Sequence, residues 1–259
     1  MKYLEIAIPE NCGYLIPIGD IHWGDKSFKE HGLSKLKGYL DWVMERPNAY
    51  VFLMGDIYNV SGRLTKTPPS ETDPGEYEEA IDFFRPYKEK IIGAIDGNHE
   101  YRMYDEFGVS PLSLFCLTLD IPYCKYSAII RFKVGKRTHK GSGNRYEQNY
   151  FVYAHHTTGG GATIGGKMNR VAKLRDIVEG CDVFLGGHNH QLGVVPQDIF
   201  FPSMQGGVKK RRMWFVDCGS YLEWSNSYAE KGMLAPAKLG SPRIRFDGKE
   251  YNHDVHVSL

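Results

Sequence analysis

Polar side chains suited to metal coordination follow five short apolar segments, each at the point where a predicted strand ends. In chain order these side chains are Asp20 and His22, Asp56, Asn98, His155 and His156, and His188 and His190. Imidazole nitrogens and carboxylate oxygens are ligands that suit Mn, Fe or Zn, and no thiolate belongs to the set. The residue types and their placement therefore predict a metal site.

The number of these side chains exceeds what one tetrahedral ion requires. His155 and His156 are adjacent in a strand, where side chains alternate between faces, so we expect only one of them to be a ligand. The end of the strand favours His155, whereas the spacing to the glycines at 159–161 favours His156. The seven ligands that remain suit two ions that share a carboxylate, typically about 3.5–4 Å apart.

Short apolar strands alternate with helical patterns along the chain, which predicts an α/β architecture. The strands that precede the polar side chains are predicted at residues 14–18, 50–54, 91–95, 151–154 and 183–185. In an open α/β sheet, sites form in the crevice beyond the carboxyl ends of the strands. We therefore expect side chains that are far apart in sequence to converge at this edge.

Helical patterns lie between these strands. Ser27 and Glu30 form a capping-box pattern, and they precede an apolar face made of Leu33, Leu36, Leu40 and Val43. Gly180 ends another predicted helix, whose apolar face comprises Met168, Val171, Leu174 and Val178.

The composition is that of an ordinary globular protein. The chain has 259 residues, of which 42% are hydrophobic and 24% charged, and we predict a single domain over residues 1–259. The formal net charge of +1 gives no indication of a protein that coats nucleic acid or binds a membrane surface. No apolar run approaches the length of a membrane span.

Cysteine usage bears on the cellular compartment. The chain has 5 cysteines without a CxxC pair, which predicts reduced and packed thiols and fits the cytoplasm. The N-terminus lacks a signal-peptide pattern because Glu5, Pro9 and Glu10 interrupt its apolar residues. We predict a cytoplasmic protein, and the sequence leaves its oligomeric state open.

The order of the motifs resembles that of the calcineurin-like metallophosphoesterases. The resemblance extends from residue 20 to residue 190 and rests on Asp20-Ile21-His22, Gly55-Asp56, Gly97-Asn98-His99-Glu100, a strand-end histidine and Gly187-His188-Asn189-His190. The segments 98–102 and 159–161 are most similar to members found in phages and bacteria. The resemblance implies a four-layer αββα sandwich with two mixed β-sheets and a metal site at the carboxyl ends of the strands.

The resemblance also implies a role for each ligand. One ion is expected on Asp20, His22 and His190, and the other on Asn98, the strand-end histidine and His188. Asp56 is expected to bridge the two ions, and His99 to contact the phosphate and protonate the leaving oxygen. Mn is the favoured metal, with Fe, Zn, Ni and Mg as alternatives.

These roles agree with the chemistry of phosphoester hydrolysis. Two cations neutralise the phosphoryl group, and a water bound between them loses its proton towards a pKa of ~7. The hydroxide attacks phosphorus in line, and a histidine near its ordinary pKa supplies the proton for the leaving alkoxide.

One motif departs from the pattern of the family. Many relatives continue the second motif as Gly-Asp-x-x-Asp-Arg, whereas Gly55-Asp56 is followed here by Ile57-Tyr58-Asn59-Val60. The bridging carboxylate is retained, but the arginine that contacts phosphate is missing. Arg63 and Arg102 are candidates to replace it.

The sequence therefore predicts a hydrolase that acts on a small phosphomonoester, phosphodiester or nucleotide. A nuclease that cuts DNA or RNA is the main alternative, and it requires a basic groove around the site. A binding scaffold without turnover is disfavoured because every motif keeps its ligand types. The basic run Lys209–Arg212 is predicted to be a solvated turn in preference to an anion-binding edge.

Overall fold

Two mixed β-sheets form the centre of the protein. The computed structural model describes residues 1–60, 74–135, 147–159, 161, 163–204, 206–225, 230, 235–249 and 253–259. Arg63 lies outside the described residues. The strands are β1 Lys2–Ile8, β2 Cys12–Ile18, β3 Ala49–Leu53, β4 Ile91–Ala94, β5 Ser127–Val134, β6 Gln148–His155, β7 Val183–Gly186, β8 Leu192–Pro202, β9 Val208–Cys218, β10 Arg243–Asp247 and β11 Val255–Ser258.

In both sheets, the strand order places the carboxyl ends of several adjacent strands at the same edge. The six-stranded sheet has the order β1-β5-β6-β7-β9-β8, and the five-stranded sheet has the order β11-β10-β2-β3-β4. In the five-stranded sheet β2, β3 and β4 are parallel, and in the six-stranded sheet β6, β7 and β9 are parallel. The remaining neighbours pair antiparallel, except β1 with β5. Each sheet therefore presents the carboxyl ends of several adjacent strands at one edge.

Helices cover the outer face of each sheet. They are α1 Leu33–Met44, α2 Pro74–Phe84, α3 Asn98–Phe107, α4 Pro111–Leu119 and α5 Ile164–Ala172. A π-helical turn, Phe28–Gly32, leads into α1, and 3₁₀ turns follow α2 at Arg85–Lys90 and α5 at Lys173–Asp176.

Three buried apolar clusters define the layers. One joins the five-stranded sheet to α1, α2 and α4, a second fills the space between the sheets, and a third joins the six-stranded sheet to α5. In β3, Val51 and Leu53 belong to the first cluster and Phe52 to the second. The strand is apolar throughout because both of its faces are covered. The predicted four-layer αββα sandwich with two mixed sheets is confirmed.

The start of α1 differs from its prediction. Leu36, Leu40 and Val43 form its buried face, as their spacing predicts. Ser27 does not cap the helix, because its backbone is already helical and its side chain makes no capping hydrogen bond. Instead the carboxylate of Asp25 accepts a hydrogen bond from the Ser27 amide at 2.8 Å.

The basic run Lys209–Arg212 forms part of a strand, so the predicted turn is wrong. It lies in β9, where it pairs with β8 in antiparallel register. Asp198 of β8 accepts hydrogen bonds from Arg212 Nε at 2.7 Å and from Lys210 Nζ at 3.1 Å. Cross-strand ion pairs and strand pairing outweigh the weak β-propensity of a charged run.

No helix in the described ranges is both long enough and apolar enough to cross a membrane.

Candidate metal centre

The predicted ligands converge where the carboxyl-terminal edges of the two sheets meet. Segments that follow β2, β3 and β4 bring side chains from the five-stranded sheet, and segments that follow β6 and β7 bring side chains from the other sheet. The side chains that meet are Asp20, His22, Asp56, Asn98, His156, His188 and His190. Two separate sheets are therefore needed to assemble this cluster.

The backbone at these positions is unusual. Five of the eight described non-glycine residues with positive φ are candidate ligands, namely Asp20 (50°), His22 (54°), Asp56 (50°), His188 (72°) and His190 (50°). Positive φ is uncommon for residues with a Cβ, and it concentrates where surrounding contacts impose it at functional sites. Backbone hydrogen bonds hold the first two motifs together, since the main-chain carbonyl of Asp56 accepts from the amides of Ile21 at 2.9 Å and His22 at 3.0 Å.

One ligand group consists of Asp20, His22 and His190. Oδ1 of Asp20 lies 3.2 Å from Nε2 of His190 and 3.9 Å from Nε2 of His22, and the two Nε2 atoms are 3.1 Å apart. Asp20 is fully buried, and its Oδ1 accepts no hydrogen bond from any described residue. A buried carboxylate oxygen without a donor is costly, and a cation between these three side chains would satisfy it.

The second ligand group consists of Asn98, His156 and His188. Oδ1 of Asn98 lies 2.5 Å from Nδ1 of His188 and 3.3 Å from Nε2 of His156. Exchanging the amide atoms would let the nitrogen donate to His188 and the oxygen accept from Arg102 at 3.1 Å. The orientation that turns the oxygen towards two imidazole nitrogens is the one that suits a cation, because all three atoms then present lone pairs to it when the imidazoles are neutral.

Asp56 lies between the two groups. Its Oδ2 is 3.2 Å from Nε2 of His156 and 4.0 Å from Nε2 of His22. Its other oxygen, Oδ1, accepts a hydrogen bond from the His99 amide at 2.8 Å, which fixes the orientation of the carboxylate. The donor set and its spacing therefore fit divalent cations held on both sides of one buried carboxylate.

The electrostatics of the site also favour positive charge. Burial lowers the pKa of His156, but the adjacent carboxylates of Asp56 and Asp20 outweigh it and raise that pKa to about 10. Burial raises the pKa of Asp56, yet the neighbouring His156 and His99 bring it well below its usual range. Two ionised carboxylates in a buried place attract a proton or a metal ion to the same position.

The structure distinguishes the two adjacent histidines. Nε2 of His156 faces Asp56 and Asn98, whereas Nδ1 of His155 accepts a hydrogen bond from the Thr157 amide at 2.8 Å. His155 is the last residue of β6 and does not belong to the ligand cluster. Of the two alternatives left open by the sequence, His156 is therefore the histidine that faces the cluster, and strand alternation turns the side chain of His155 away from it.

His99 lies beside the candidate ligands. Its ring packs edge-on against that of His22, with ring centroids 4.6 Å apart. Burial lowers the pKa of His99 despite the nearby Asp56 carboxylate. Its Nδ1 is buried and has no hydrogen-bond partner among the described residues. His99 also lines the cavity above the cluster.

Glu100 binds the backbone of the two loops that carry Asp56 and Asn98, and the sequence analysis assigned it no role. Its Oε1 accepts hydrogen bonds from the amides of Ile57 at 2.7 Å and Tyr58 at 3.0 Å. Its Oε2 accepts from the amides of Asp56 and Gly97, both at 2.9 Å. Burial, together with the Asp56 carboxylate, raises the pKa of Glu100 to about 8. The glutamate three residues after Gly97, at the start of a helix, is the sequence signal for this role.

Gly97 allows two loops to approach each other closely. A Cβ atom at this position would lie 2.1 Å from Oδ1 of Asp56 and 2.3 Å from its amide nitrogen. Any other residue would therefore displace the carboxylate that lies between the two ligand groups.

A cavity of about 220 Å³ opens above the cluster. Besides candidate ligands and His99, its walls include Asp25, Asn59, Arg102, Lys167 and Leu222. Arg102 is one of the two arginines predicted to contact substrate. Val60, at the position where many relatives carry arginine, is buried in the apolar cluster against the helices. Sequence reasoning missed Lys167, although a lysine directly after Gly165-Gly166 was the signal for it.

A family model for calcineurin-like phosphoesterases matches residues 15–192, and the chain belongs to this family. The matched segment contains every candidate ligand and His99. No protein of curated function matches the chain in sequence.

Three solved structures resemble the chain at low identity. NAD nucleotidase (NadN) of Haemophilus influenzae has a TM-score of 0.42 and 11% identity, covering 96% of this chain and 49% of its own. The nuclease MPE of Pseudomonas putida has a TM-score of 0.39 and 12% identity, covering 90% and 84%. Vps29 of Chaetomium thermophilum has a TM-score of 0.39 and 10% identity, covering 95% and 96%. The chain thus spans about half the length of NadN.

Proposed function

We propose that this protein hydrolyses small phosphoesters with two divalent cations, of which Mn is the favoured metal. The observation that carries the proposal is the position of Asp56 between two ligand groups, with one oxygen 3.2 Å from His156 and 4.0 Å from His22. Membership in the calcineurin-like phosphoesterase family supports the same class of reaction.

Seven side chains would hold the two ions. The first ion would take Asp20, His22 and His190, the second would take Asn98, His156 and His188, and Asp56 would take part in both. When bound, the ions supply positive charge that polarises the phosphoryl group and makes a water molecule acidic enough to attack phosphorus.

The remaining side chains have their own tasks in this proposal. The His99 imidazole lines the cavity and, in its protonated form, gives a proton to the leaving oxygen of the ester. The guanidinium of Arg102, on the same helix as Asn98, binds a phosphate oxygen in place of the arginine that the second motif lacks. The buried carboxylates and their fixed backbone hold the ligand atoms in place before substrate arrives.

The size and charge of the cavity support a small substrate over a nucleic acid. A nucleic-acid strand requires a run of basic side chains along its backbone. Among the described residues that line this cavity, Arg102 is the only arginine and Lys167 is the only lysine. A phosphomonoester, a simple phosphodiester or a nucleotide fits such a site.

Turnover after metal removal tests the proposal. Chelator-stripped protein is assayed with p-nitrophenyl phosphate and bis(p-nitrophenyl) phosphate, with and without added Mn. We expect Mn to restore cleavage, and we expect D56N to remove most of it because the binding of both ions is weakened. If neither ester is cleaved by protein that holds two ions by metal analysis, or if D56N keeps full activity, the proposal is wrong.

A further inference from the structure

Lys167 is a largely buried lysine at the wall of the cavity. It lies in the first turn of α5, is only 7% exposed, and lines the same cavity as His188 and His190. Within the described ranges, its ammonium group makes neither a hydrogen bond nor an ion pair. Buried lysines are nearly always paired, since an isolated charge is costly to remove from water. An unpaired lysine beside a polar cavity therefore points to an anionic ligand.

The backbone of Lys167 is held in place relative to the candidate ligands. A Cβ atom at Gly161 would lie 2.9 Å from the Lys167 amide nitrogen, so the glycine-rich loop packs directly on this turn of α5. A Cβ atom at Gly186 would lie 2.7 Å from Cγ2 of Val171, so α5 also packs directly on the end of β7. His188 follows β7 by two residues, so the backbone that carries Lys167 has a fixed position relative to this candidate ligand.

Resting on the proposed function, we propose that Lys167 binds a terminal, unesterified oxygen of the phosphate and makes the site selective for phosphomonoesters over phosphodiesters. A monoester carries close to two negative charges at neutral pH, because its second pKa is about 6. A diester carries one charge and has an esterified oxygen in place of a terminal one. An additional fixed cation beside the metal centre therefore attracts the monoester more strongly.

A structural role for Lys167 makes a different prediction. A candidate for such a role is the neutralisation of Asp217, a buried carboxylate on which Lys167 acts electrostatically. Oδ2 of Asp217 accepts a hydrogen bond from Asn189 at 2.8 Å, and its Oδ1 has no partner among the described residues. If Lys167 served only to neutralise Asp217, then removing that charge with D217N would make Lys167 dispensable.

The experiment compares K167M, K167R and the double variant K167M/D217N with the control K173M. Lys173 is an exposed lysine at the end of α5, so K173M removes the same charge outside the cavity. Calorimetry measures the binding of inorganic phosphate to the Mn-loaded proteins. Kinetics measures KM and kcat for p-nitrophenyl phosphate and bis(p-nitrophenyl) phosphate, and metal analysis verifies that the ions are retained.

We expect K167M to weaken phosphate binding about tenfold or more and to raise KM for the monoester by a similar factor. KM for the diester should change about threefold or less, K167R should retain most phosphate affinity, and K173M should behave as wild type. Unchanged phosphate affinity in K167M, equal effects on both esters, or recovery of affinity in the double variant would overturn the proposal.

Failure of the proposed hydrolysis and failure of K167M to fold can each be distinguished from failure of the proposal for Lys167. If the wild-type protein cleaves neither ester, the proposed hydrolysis fails, while phosphate binding by K167M and wild type still decides the role of Lys167. If K167M does not fold, the comparison of K167Q with K167R provides the same contrast between a neutral and a charged side chain.

Discussion

The imidazole of His156 donates a hydrogen bond from Nδ1 to the carbonyl oxygen of Met54 at 2.6 Å. A carbonyl oxygen only accepts, so Nδ1 carries a proton, and Nε2, which lies 3.2 Å from Asp56, is the nitrogen left to bind a cation once it has lost its own proton. Met54 follows a strand of the five-stranded sheet, whereas His156 follows a strand of the six-stranded sheet. One hydrogen bond across the two sheets thus sets the tautomer and orientation of a candidate metal ligand.

Replacing His156 should therefore affect metal binding much more than replacing His155. We expect H156A to lose one of two bound ions and to retain less than about a tenth of the activity. Removing a residue that only supports a metal ligand already costs about 10–100-fold in affinity or activity, and removing the ligand itself should cost at least as much. H155A is the matched control, since its side chain accepts a hydrogen bond from Thr157 and lies outside the cluster. Metal content after dialysis measures the difference, and equal metal loss in the two variants would exclude His156 as the ligand.

Replacing His99 should slow the reaction without removing metal. General acid catalysis contributes typically about 10²–10⁴-fold, and its contribution is greatest when the leaving group is a poor one. We expect H99A to hold as much Mn as the wild type and to lose most activity towards alkyl esters, with a smaller loss towards p-nitrophenyl esters. A wild-type rate with an alkyl ester would remove His99 from the role of proton donor.

Replacing Glu100 should destabilise the protein even without metal. E100A removes the acceptor of four buried backbone amides, and each unsatisfied buried donor costs about 1–3 kcal/mol before relaxation. We expect a loss of about 3 kcal/mol or more in the free energy of unfolding, measured by urea denaturation of chelator-treated protein. E106A, on an exposed position of the same helix, should change it by less than about 0.5 kcal/mol. Similar values for the two variants would contradict the buried role of Glu100.

Two glycine-to-alanine variants distinguish a glycine needed for close packing of two loops, Gly97, from a glycine with free space around it, Gly38. G97A places a Cβ atom 2.1 Å from the Asp56 carboxylate, so we expect it to weaken both ions and to lower stability. G38A adds a Cβ atom with nothing within 4 Å, in the interior of α1, and should stabilise by up to about 1 kcal/mol. Thermal unfolding and metal content measure both effects. A G97A protein with wild-type metal content would show that the two loops have room to separate.

The buried carboxylate of Asp182 should stabilise the protein at neutral pH and lose this effect in acid. Burial raises the pKa of Asp182, but His253 and Arg211 outweigh it and hold that pKa below its usual range. Arg211 Nη2 lies 2.8 Å from Oδ1, and Oδ2 accepts from the Phe151 amide at 2.8 Å. Because the folded protein binds this proton less readily than the unfolded chain, the stabilisation is complete above the ordinary pKa of about 3.9 and is lost as pH falls below it.

The variant D182N tests this effect directly. We expect D182N to lower the free energy of unfolding at pH 7 by about 2–4 kcal/mol and to reduce the further loss between about pH 5 and pH 3. D176N, in the exposed turn after α5, is the control and should keep the wild-type pH profile. An unchanged acid profile in D182N would mean that other carboxylates dominate acid unfolding.

Periodicity predicted the part of the fold that carries the ligands. The strands β2, β3, β4, β6 and β7 are apolar because they are covered on both faces, and this makes them visible in sequence. The strands β1 and β8 were not predicted. They lie at the two ends of the six-stranded sheet, where one side of each strand has no neighbouring strand among the described residues and the side chains are largely exposed. Their place depends on pairing with β5 and β9, which is information distant in sequence.

The sequence by itself determined which residue types end the buried strands, and with them the family and the chemical class of the site. Strand-end ligands are readable because strand, turn and ligand lie within a few residues of one another. Only the tertiary structure shows that His156 and not His155 faces the cluster, since the hydrogen bond that orients it goes to the carbonyl oxygen of Met54 on the other sheet. The same holds for Glu100, whose four donors come from two loops, and for Lys167, whose surroundings come from helix packing. These side chains acquire their roles from groups distant in sequence, and the pattern along the chain carries no record of those contacts.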